Sequence, residues 1–304
     1  MKTREQPVVP KAEIRTYYDR PVLKKPVWKW YIPAYFFSGG LAGASSTLAF
    51  AARLRGNHPL ARRARLVSLA GIAASPVFLI ADLGRPGRFY NMLRVAKPTS
   101  PMSMGTWLIT LFGPVSGAAA VSDLTGLLPG LGLLSEALAA ALGPAVSTYT
   151  AVLTSDTAIP AWHDAWRELP LVFAGGSAAS AGAAAVLLTQ PDDAGPARTL
   201  ALLGSAMELA ADRAMERRLS DLAEPYRSGA ASQPAKAAKT LLAGGAAMVV
   251  AGGRRRPGVA RLGAAMTLVG VALTRWSIFK AGFESAGDPR YTVGPQRKRV
   301  QTAS

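Results

Sequence analysis

Two acidic residues four positions apart, Glu208 and Asp212, lie within or at the end of an apolar stretch of the sequence. Residues with this spacing share one face of a helix, and an ionisable group inside a membrane is costly enough to be a functional candidate. Such an acidic pair is suited to proton transfer. The alternative is that the helix ends at the membrane surface near residue 207, which would leave both carboxylates in water.

A second polar group, Asp156 and His163, follows another long apolar segment. An unperturbed histidine titrates near neutral pH, so this loop is a further candidate for proton transfer, and a solvated loop is the alternative. The chain has no Cys and 2 His. We therefore expect no iron–sulfur cluster within the chain, no di-haem cytochrome, which needs more axial histidines, and no metal site.

Long apolar segments separated by short charged loops are typical of a membrane protein. Of 304 residues, 50% are hydrophobic and only 17% are charged, whereas about a quarter are charged in soluble domains. A spanning helix needs about 20 mostly apolar residues. We predict an all-α integral membrane fold with eight transmembrane helices in two four-helix bundles, over residues 31–52, 64–81, 104–121, 134–153, 169–189, 197–211, 237–251 and 259–279.

The basic residues predict how the chain is oriented. With eight spans, a basic N-terminal arm (1–29) and a basic C-terminal tail (280–304) flank the membrane domain (30–279) on one side, which we call side A; the opposite side is side B. Most of the 35 Lys and Arg fall on side A, and basic loops favour the cytoplasm. We therefore predict an inner-membrane protein with cytoplasmic termini. The formal charge of +17 needs no nucleic-acid partner, and no signal peptide is visible.

Three segments carry a family resemblance. The most specific reads DLGRPGRFYNMLRVAKPTSPMSMGTW over residues 82–107, in which Ser103 is a candidate cap of the next helix. The others are the aromatic opening of the first span, over 30–42, and the segment from Tyr149 to Trp162. In this order they resemble the NrfD family, the membrane subunits of polysulfide-reductase-type complexes. The resemblance covers about residues 28–190.

The resemblance implies an eight-helix, haem-free membrane anchor that exchanges electrons with a quinone, either menaquinone or ubiquinone. A ferredoxin-like iron–sulfur subunit would dock on it, with a molybdopterin catalytic subunit containing Mo or W beyond. The chain would then be a subunit, without the catalytic head, of a respiratory complex resembling polysulfide reductase or formate dehydrogenase. The alternative is a quinone-inactive structural anchor or a proton-conducting module of such a complex.

The resemblance also assigns quinone-pocket candidates. Tyr149 falls on a family tyrosine that bonds the quinone; the alternative is a tyrosine at the membrane interface. Asp82 and Arg85 either form a pair that fixes their loop, or Asp82 passes protons. The His or Asn that some relatives place near the start of the first span is missing here. The residues available to fill that place are Trp28, Lys29, Trp30 and Tyr35, of which Trp30 and Tyr35 are our quinone-pocket candidates.

The loop after the second span supplies the docking candidates. Arg88 and Arg94 flank the apolar residues Phe89 and Met92 in a short amphipathic piece, and Lys97 follows where the family commonly has Asn. We expect Arg88, Arg94 and Lys97 to contact a docked subunit or lipid headgroups.

Overall fold

The computed structural model describes residues 21–294, which contain no strand. The first 20 and last ten residues of the predicted terminal arms lie outside this range. Long helices dominate the described part, joined by the single-turn helices α5 (Pro160–His163) and α8 (Glu224–Arg227) and by a 3-10 helix at Pro86–Arg94. The long helices are α1 (Tyr31–Leu54), α2 (His58–Asp82), α3 (Pro101–Thr125), α4 (Pro129–Ser155), α6 (Leu169–Leu188), α7 (Gly195–Leu219), α9 (Ser232–Gly252) and α10 (Pro257–Gly287).

Proline sets the start of most of these helices. Pro101, Pro129 and Pro257 each occupy the first position of their helix, where the fixed φ suits the helix and the missing N–H costs nothing. Helix α2 adds a side-chain cap, since Asn57 accepts a hydrogen bond from the backbone N–H of Leu60 at 3.1 Å. These local signals explain why the observed starts lie within a few residues of the apolar segments.

The cap of α3 is Ser100, so the prediction of Ser103 is wrong. The hydroxyl of Ser100 accepts a hydrogen bond from the backbone N–H of Ser103 at 3.5 Å. Ser103 instead donates its own hydroxyl to the carbonyl of Val95 at 2.7 Å and accepts the N–H of Lys97 at 3.0 Å. Ser103 therefore holds the preceding loop against the helix.

Five of the long helices, α2, α3, α4, α6 and α10, are long and apolar enough to cross a membrane. The chain is therefore a multi-pass membrane protein. Helices α1, α7 and α9 have sufficient length but are less apolar. Helix α1 contains many Gly, Ser and Tyr residues, α7 carries several charges, and α9 has two lysines in its first half.

Helix α7 extends well past the predicted sixth segment. It continues to Leu219, so the alternative in which the helix ends near residue 207 is wrong. Glu208 and Asp212 both lie inside α7 and are buried. The last helix is also longer than predicted, because α10 continues beyond Phe279 to Gly287.

Helices α1 to α4 pack against one another, as do α6, α7, α9 and α10, and α6 lies against α1 and α4 where the two groups meet. Small residues allow the closest approaches. A Cβ at Gly43 of α1 would overlap the backbone of Gly143 in α4. The side chains of Ser46 and Thr47 then donate to carbonyls of α4 at 3.0 and 3.2 Å.

Side A is closed by the fully buried indole of Trp162, in the largest buried cluster. Its Nε1 donates to the carbonyl of Ile278 at 2.7 Å, and it stacks on Trp28 with ring centroids 5.4 Å apart. Gly282 makes the space, because a Cβ there would overlap the indole. The segment before α6 is thereby fixed to α10 and to the N-terminal arm.

A buried ion-pair cluster closes the side B end of α1 to α4. Arg65 of α2 pairs with Asp123 of α3 at 2.6 Å and with Glu136 of α4 at 2.8 Å. Glu136 also pairs with Arg53 of α1 at 3.1 Å. Arg65 and Glu136 are almost fully buried, so each needs the other's charge.

Candidate functional site

Two cavities meet at Tyr149, near the side A end of α4. The outer one is an open cleft of about 720 Å³ between the start of α3, the end of α4 and the loop that leads to α6. The inner one is a more enclosed pocket of about 90 Å³ between α1, α2, α3 and α4. Tyr149 lines both cavities, so its side chain forms the wall between them.

Three predicted site residues come together in the inner pocket, namely Tyr149, Tyr35 and Asp82. They come from α4, α1 and the end of α2, which explains how residues far apart in the sequence converge. Sequence reasoning missed several residues around them. Those that complete the wall include Ile32, Phe36, Leu79, Met92, Met102 and Gly105.

The hydroxyl of Tyr149 has no hydrogen-bond partner among the described residues, although it is buried. The ring is held edge-on to Tyr35, with centroids 6.3 Å apart. On its other side it contacts Gly105, where a Cβ would overlap the ring. An unpaired buried hydroxyl is costly, so this oxygen is the atom in the pocket that a polar ligand would satisfy.

Asp82 accepts a hydrogen bond from the backbone N–H of Lys29 at 2.9 Å. It thus ties the end of α2 to the N-terminal arm. No ion pair joins Asp82 to Arg85 within residues 21–294, and Arg85 is exposed and lines neither cavity. The predicted Asp82–Arg85 pair is therefore not formed, because the chain turns away from α2 at Leu83 in an extended conformation.

Trp30 also lies outside both cavities. It is 53% exposed and packs on Tyr31 and Phe78. Trp28 takes the position in the pocket. The sequence did not separate these two tryptophans because both precede α1, where no helical periodicity assigns a face.

Asp156 and His163 both line the outer cleft, together with Trp166. His163 Nδ1 lies 3.1 Å from the carbonyl oxygen of Ser155. Both Asp156 and His163 are exposed. The cleft therefore connects Tyr149 to water through ionisable side chains.

Glu208 and Asp212 lie elsewhere, among α7, α9 and α10. The oxygens of Glu208 have no hydrogen-bond partner within the described range. Arg275 of α10 lies close by, since a Cβ at Gly176 would come within 2.6 Å of Arg275 and 2.7 Å of Glu208. Lys239 of α9 pairs with Asp212 at 2.9 Å. Arg275 and Lys239 were not predicted, because only the packing shows which basic residues face the acidic pair.

From Asp212 the charges continue toward side A. Lys239 also pairs with Glu216 at 2.6 Å, and Arg227 lies 3.9 Å from Glu216 with half of its side chain exposed. The guanidinium of Arg275 is held by the Phe173 carbonyl at 3.0 Å and by the Phe173 ring at 3.9 Å. A row of ionisable groups thus leads from the buried Glu208 to the surface.

The predicted docking residues Arg88, Arg94 and Lys97 are all exposed. The first two lie on the 3-10 helix at Pro86–Arg94. Lys97 is followed by Pro98 and Thr99, which line the outer cleft. The basic rim is therefore next to the cleft on side A.

A bidentate ion pair fixes the loop behind the outer cleft. The guanidinium of Arg218 in α7 donates two hydrogen bonds of 2.6 Å to Glu168, and it also contacts the carbonyl of Asp164. The hydrogen bond from Arg218 lowers the pKa of the Glu168 carboxyl. Within residues 21–294 no group of three or more His, Asp or Glu side chains could hold a metal ion.

The sequence model of the polysulphide reductase NrfD family matches residues 21–191. This range is more than half of the chain and contains both cavities, so the chain belongs to the NrfD family. Helices α7, α9 and α10, with the Glu208 cluster, lie outside the matched residues. No curated protein matches the chain.

Proposed function

We propose that this chain is the membrane anchor of a respiratory oxidoreductase complex and carries electrons between a docked iron–sulfur subunit and a membrane quinone. The observation that most directly supports a quinone site is the buried, unpaired hydroxyl of Tyr149, which lies between an open cleft and an aromatic pocket. A quinone supplies two-electron chemistry coupled to protons, which no side chain of this chain can supply.

The residues around Tyr149 can hold such a ligand. The Tyr149 hydroxyl is free to donate to a ring carbonyl oxygen, while Trp28 and Tyr35 provide flat apolar walls. Asp156 and His163 stand between this position and water, where they can deliver or accept protons. Asp82, held by the Lys29 N–H, fixes the arm that closes the inner pocket.

The basic rim supports the docking of an iron–sulfur subunit on side A. Arg88, Arg94 and Lys97 are exposed beside the cleft, which would keep the path from a docked cluster to Tyr149 short. A molybdopterin subunit with Mo or W would bind beyond it and determine the substrate, such as polysulfide or formate.

We further propose that α1, α7 and α9 also cross the inner membrane, which gives eight spans in two four-helix bundles with side A in the cytoplasm. These helices have 24, 25 and 21 residues, and about 20 suffice to span the hydrocarbon core. The two acidic residues in the middle of α7, Glu208 and Asp212, are buried inside the protein and do not face the bilayer.

The test of the quinone site is Tyr149→Phe in the purified complex. The variant removes only the hydroxyl, so we expect quinone-linked turnover to fall about tenfold, as for the loss of one hydrogen bond of about 1.4 kcal/mol. Activity of the catalytic head with a soluble dye should not change, and the subunits should still co-purify.

The matched control is Tyr90→Phe, which removes an exposed hydroxyl that lines neither cavity. It should leave both activities unchanged. Equal losses of dye-linked and quinone-linked activity in Tyr149→Phe would contradict the assignment, as would purification of the chain without an iron–sulfur subunit.

A second function, proton transfer, is favoured by the unpaired oxygens of Glu208 and the row of charges from Asp212 to Arg227. In proteoliposomes, Glu208→Gln should leave electron transfer to the quinone intact and abolish the proton movement coupled to it. Coupled proton movement at the rate of the unsubstituted protein would show that Glu208 carries no protons.

A further inference from the structure

A second large cavity lies away from Tyr149, in the seam where α1 and α4 meet α6 and α7. It is an open groove of about 610 Å³. Its walls are almost entirely apolar, and small residues keep it deep. Representative wall residues are Ala44 and Ala51 of α1, Pro144 of α4, Ala174 and Ala178 of α6, and Leu203 of α7.

The groove has the length of one membrane leaflet. On α1 it runs from Ala44, near the middle of the helix, to Arg55 just past its side B end. That stretch rises about 16 Å at about 1.5 Å per residue. Half of a hydrocarbon core of about 30 Å is nearly the same distance. On α6 the groove reaches Ala174, about 21 Å from the side B end of that helix at about 1.5 Å per residue. The groove therefore opens at the side B surface and extends slightly past the membrane midplane.

The mouth of the groove carries one uncommitted positive charge. Arg55 lines it and is exposed, and its guanidinium has no hydrogen bond or ion pair among residues 21–294. Two other arginines at this end are engaged: Arg53 with Glu136, and Arg254 with Asp192 at 2.5 Å. The charge of Arg55 is thus available to a ligand.

The mouth is also held in place. Asn57 lines it and bridges two elements, because its Nδ2 donates to the carbonyl of Asp193 at 2.8 Å while its Oδ1 caps α2. The loop before α7 and the start of α2 are therefore fixed around the opening. Because these residues are already fixed, less conformational entropy is lost when a ligand binds at the mouth.

We propose that this groove binds an anionic phospholipid of the side B leaflet, with one acyl chain between α1, α4, α6 and α7 and its phosphate against Arg55. The length of an acyl chain in one leaflet matches the depth of the groove. The apolar side chains of its walls lose dispersion contacts if no molecule fills the groove. A phosphate matches the free guanidinium, because Arg binds phosphate by charge-assisted hydrogen bonds. The lipid would pack the seam between the two groups of helices.

The phospholipid fits better than the tail of a quinone. A quinone is neutral and gives Arg55 no anionic partner. The proposal does not depend on the quinone site, since it concerns residues that line neither cavity at Tyr149, but it rests on the proposed crossing of the membrane by α1 and α7.

The test is native mass spectrometry of the full-length protein in its purified complex, first as isolated and then delipidated and titrated with phosphatidylglycerol or phosphatidylcholine. We expect one retained phospholipid and tighter binding of phosphatidylglycerol. Arg55→Ala should weaken phosphatidylglycerol binding about tenfold, the loss of one charge-assisted contact, and should weaken phosphatidylcholine binding less, because the choline cation of that lipid already balances its phosphate. Ala178→Phe should abolish retention by filling the groove.

Two matched controls should behave like the unsubstituted protein: Arg63→Ala, an exposed charge on α2, and Val269→Phe, an exposed position on α10. Arg55 is exposed, so its variant tests the proposal even if Ala178→Phe fails to fold. Unchanged phosphatidylglycerol binding in Arg55→Ala, equal affinity for both lipids, or an isoprenoid as the retained molecule would each overturn the proposal.

Discussion

At the scale of single residues, the orientation of Tyr149 depends on a glycine of the neighbouring helix. Gly105 of α3 leaves the space in which the Tyr149 ring lies. Gly105→Ala should push the ring aside, because the added methyl would overlap it. We expect quinone-linked turnover to fall severalfold while dye-linked activity of the complex is retained, measured on the same preparation.

Gly117→Ala is the matched control for Gly105→Ala. It changes the same helix in the same way, and the added Cβ would meet no atom within 4 Å apart from the adjoining backbone of α3. The control should keep full activity, and it accounts for any general effect of replacing glycine by alanine in α3. If both variants lost quinone activity equally, Gly105 would have no special relation to Tyr149.

At the scale of helices, the buried ion pairs at side B join α1, α2, α3 and α4. Glu136→Gln removes the carboxylate shared by Arg53 and Arg65 and leaves a buried guanidinium without one of its partners. We expect the free energy of unfolding to fall by about 3 kcal/mol. A lower thermal midpoint of the detergent-solubilised protein, followed by tryptophan fluorescence, would report it.

Asp192→Asn provides the comparison for Glu136→Gln. It breaks the ion pair with Arg254, in which both side chains are largely exposed. Exposed ion pairs contribute little to the free energy of unfolding. The thermal midpoint of Asp192→Asn should therefore stay close to that of the unsubstituted protein. A midpoint that is equally insensitive to Glu136→Gln would mean that the buried cluster does not hold the four helices together.

The ion pair of Glu168 and Arg218 makes the attachment of the loop to α7 dependent on pH. The pKa of Glu168 is lower in the folded protein than in the unfolded chain. The ion pair therefore stabilises the folded state fully at a pH above the ordinary glutamate pKa. This stabilisation is lost as the pH falls through the lowered pKa of the folded state. Arg218→Gln should therefore lower the thermal midpoint at neutral pH, and the difference from the unsubstituted protein should shrink below about pH 4. A pH-independent difference would contradict this.

At the scale of the whole molecule, each end is tied together by contacts between its own loops. Side A has the pairs Trp28–Trp162 and Arg218–Glu168, and side B has Arg254–Asp192. The chain contains no Cys, so single cysteines can report the sidedness directly. The proposed eight crossings would place Ser228 and Thr125 on opposite faces of the membrane.

We therefore expect Ser228→Cys to react with a membrane-impermeant thiol reagent only from the cytoplasm, and Thr125→Cys only from the other face. Both residues are exposed, so access should not limit labelling. Labelling of both from the same face would contradict the arrangement of eight spans, and an exchange of the two faces would reverse the proposed orientation.

Part of the site was accessible to sequence reasoning. Tyr149, Tyr35 and Asp82 were placed together through the family motifs, and all three line the inner pocket. The sequence names Trp30 as a pocket candidate where the structure places Trp28, and it offers an Asp82–Arg85 pair, one of two alternatives, that is not formed. Both errors fall in segments outside regular helix, where periodicity gives no information about which face is buried.

The sequence alone determined the helical membrane class, because apolar length and proline at helix starts act locally, and it determined the family through motifs. Only the tertiary structure decided which charges meet. Glu136 finds Arg65 and Arg53, and Glu208 faces Arg275, because helix rotation and close packing at glycines bring these residues together. Such pairings depend on contacts between helices far apart in sequence, which no local pattern records.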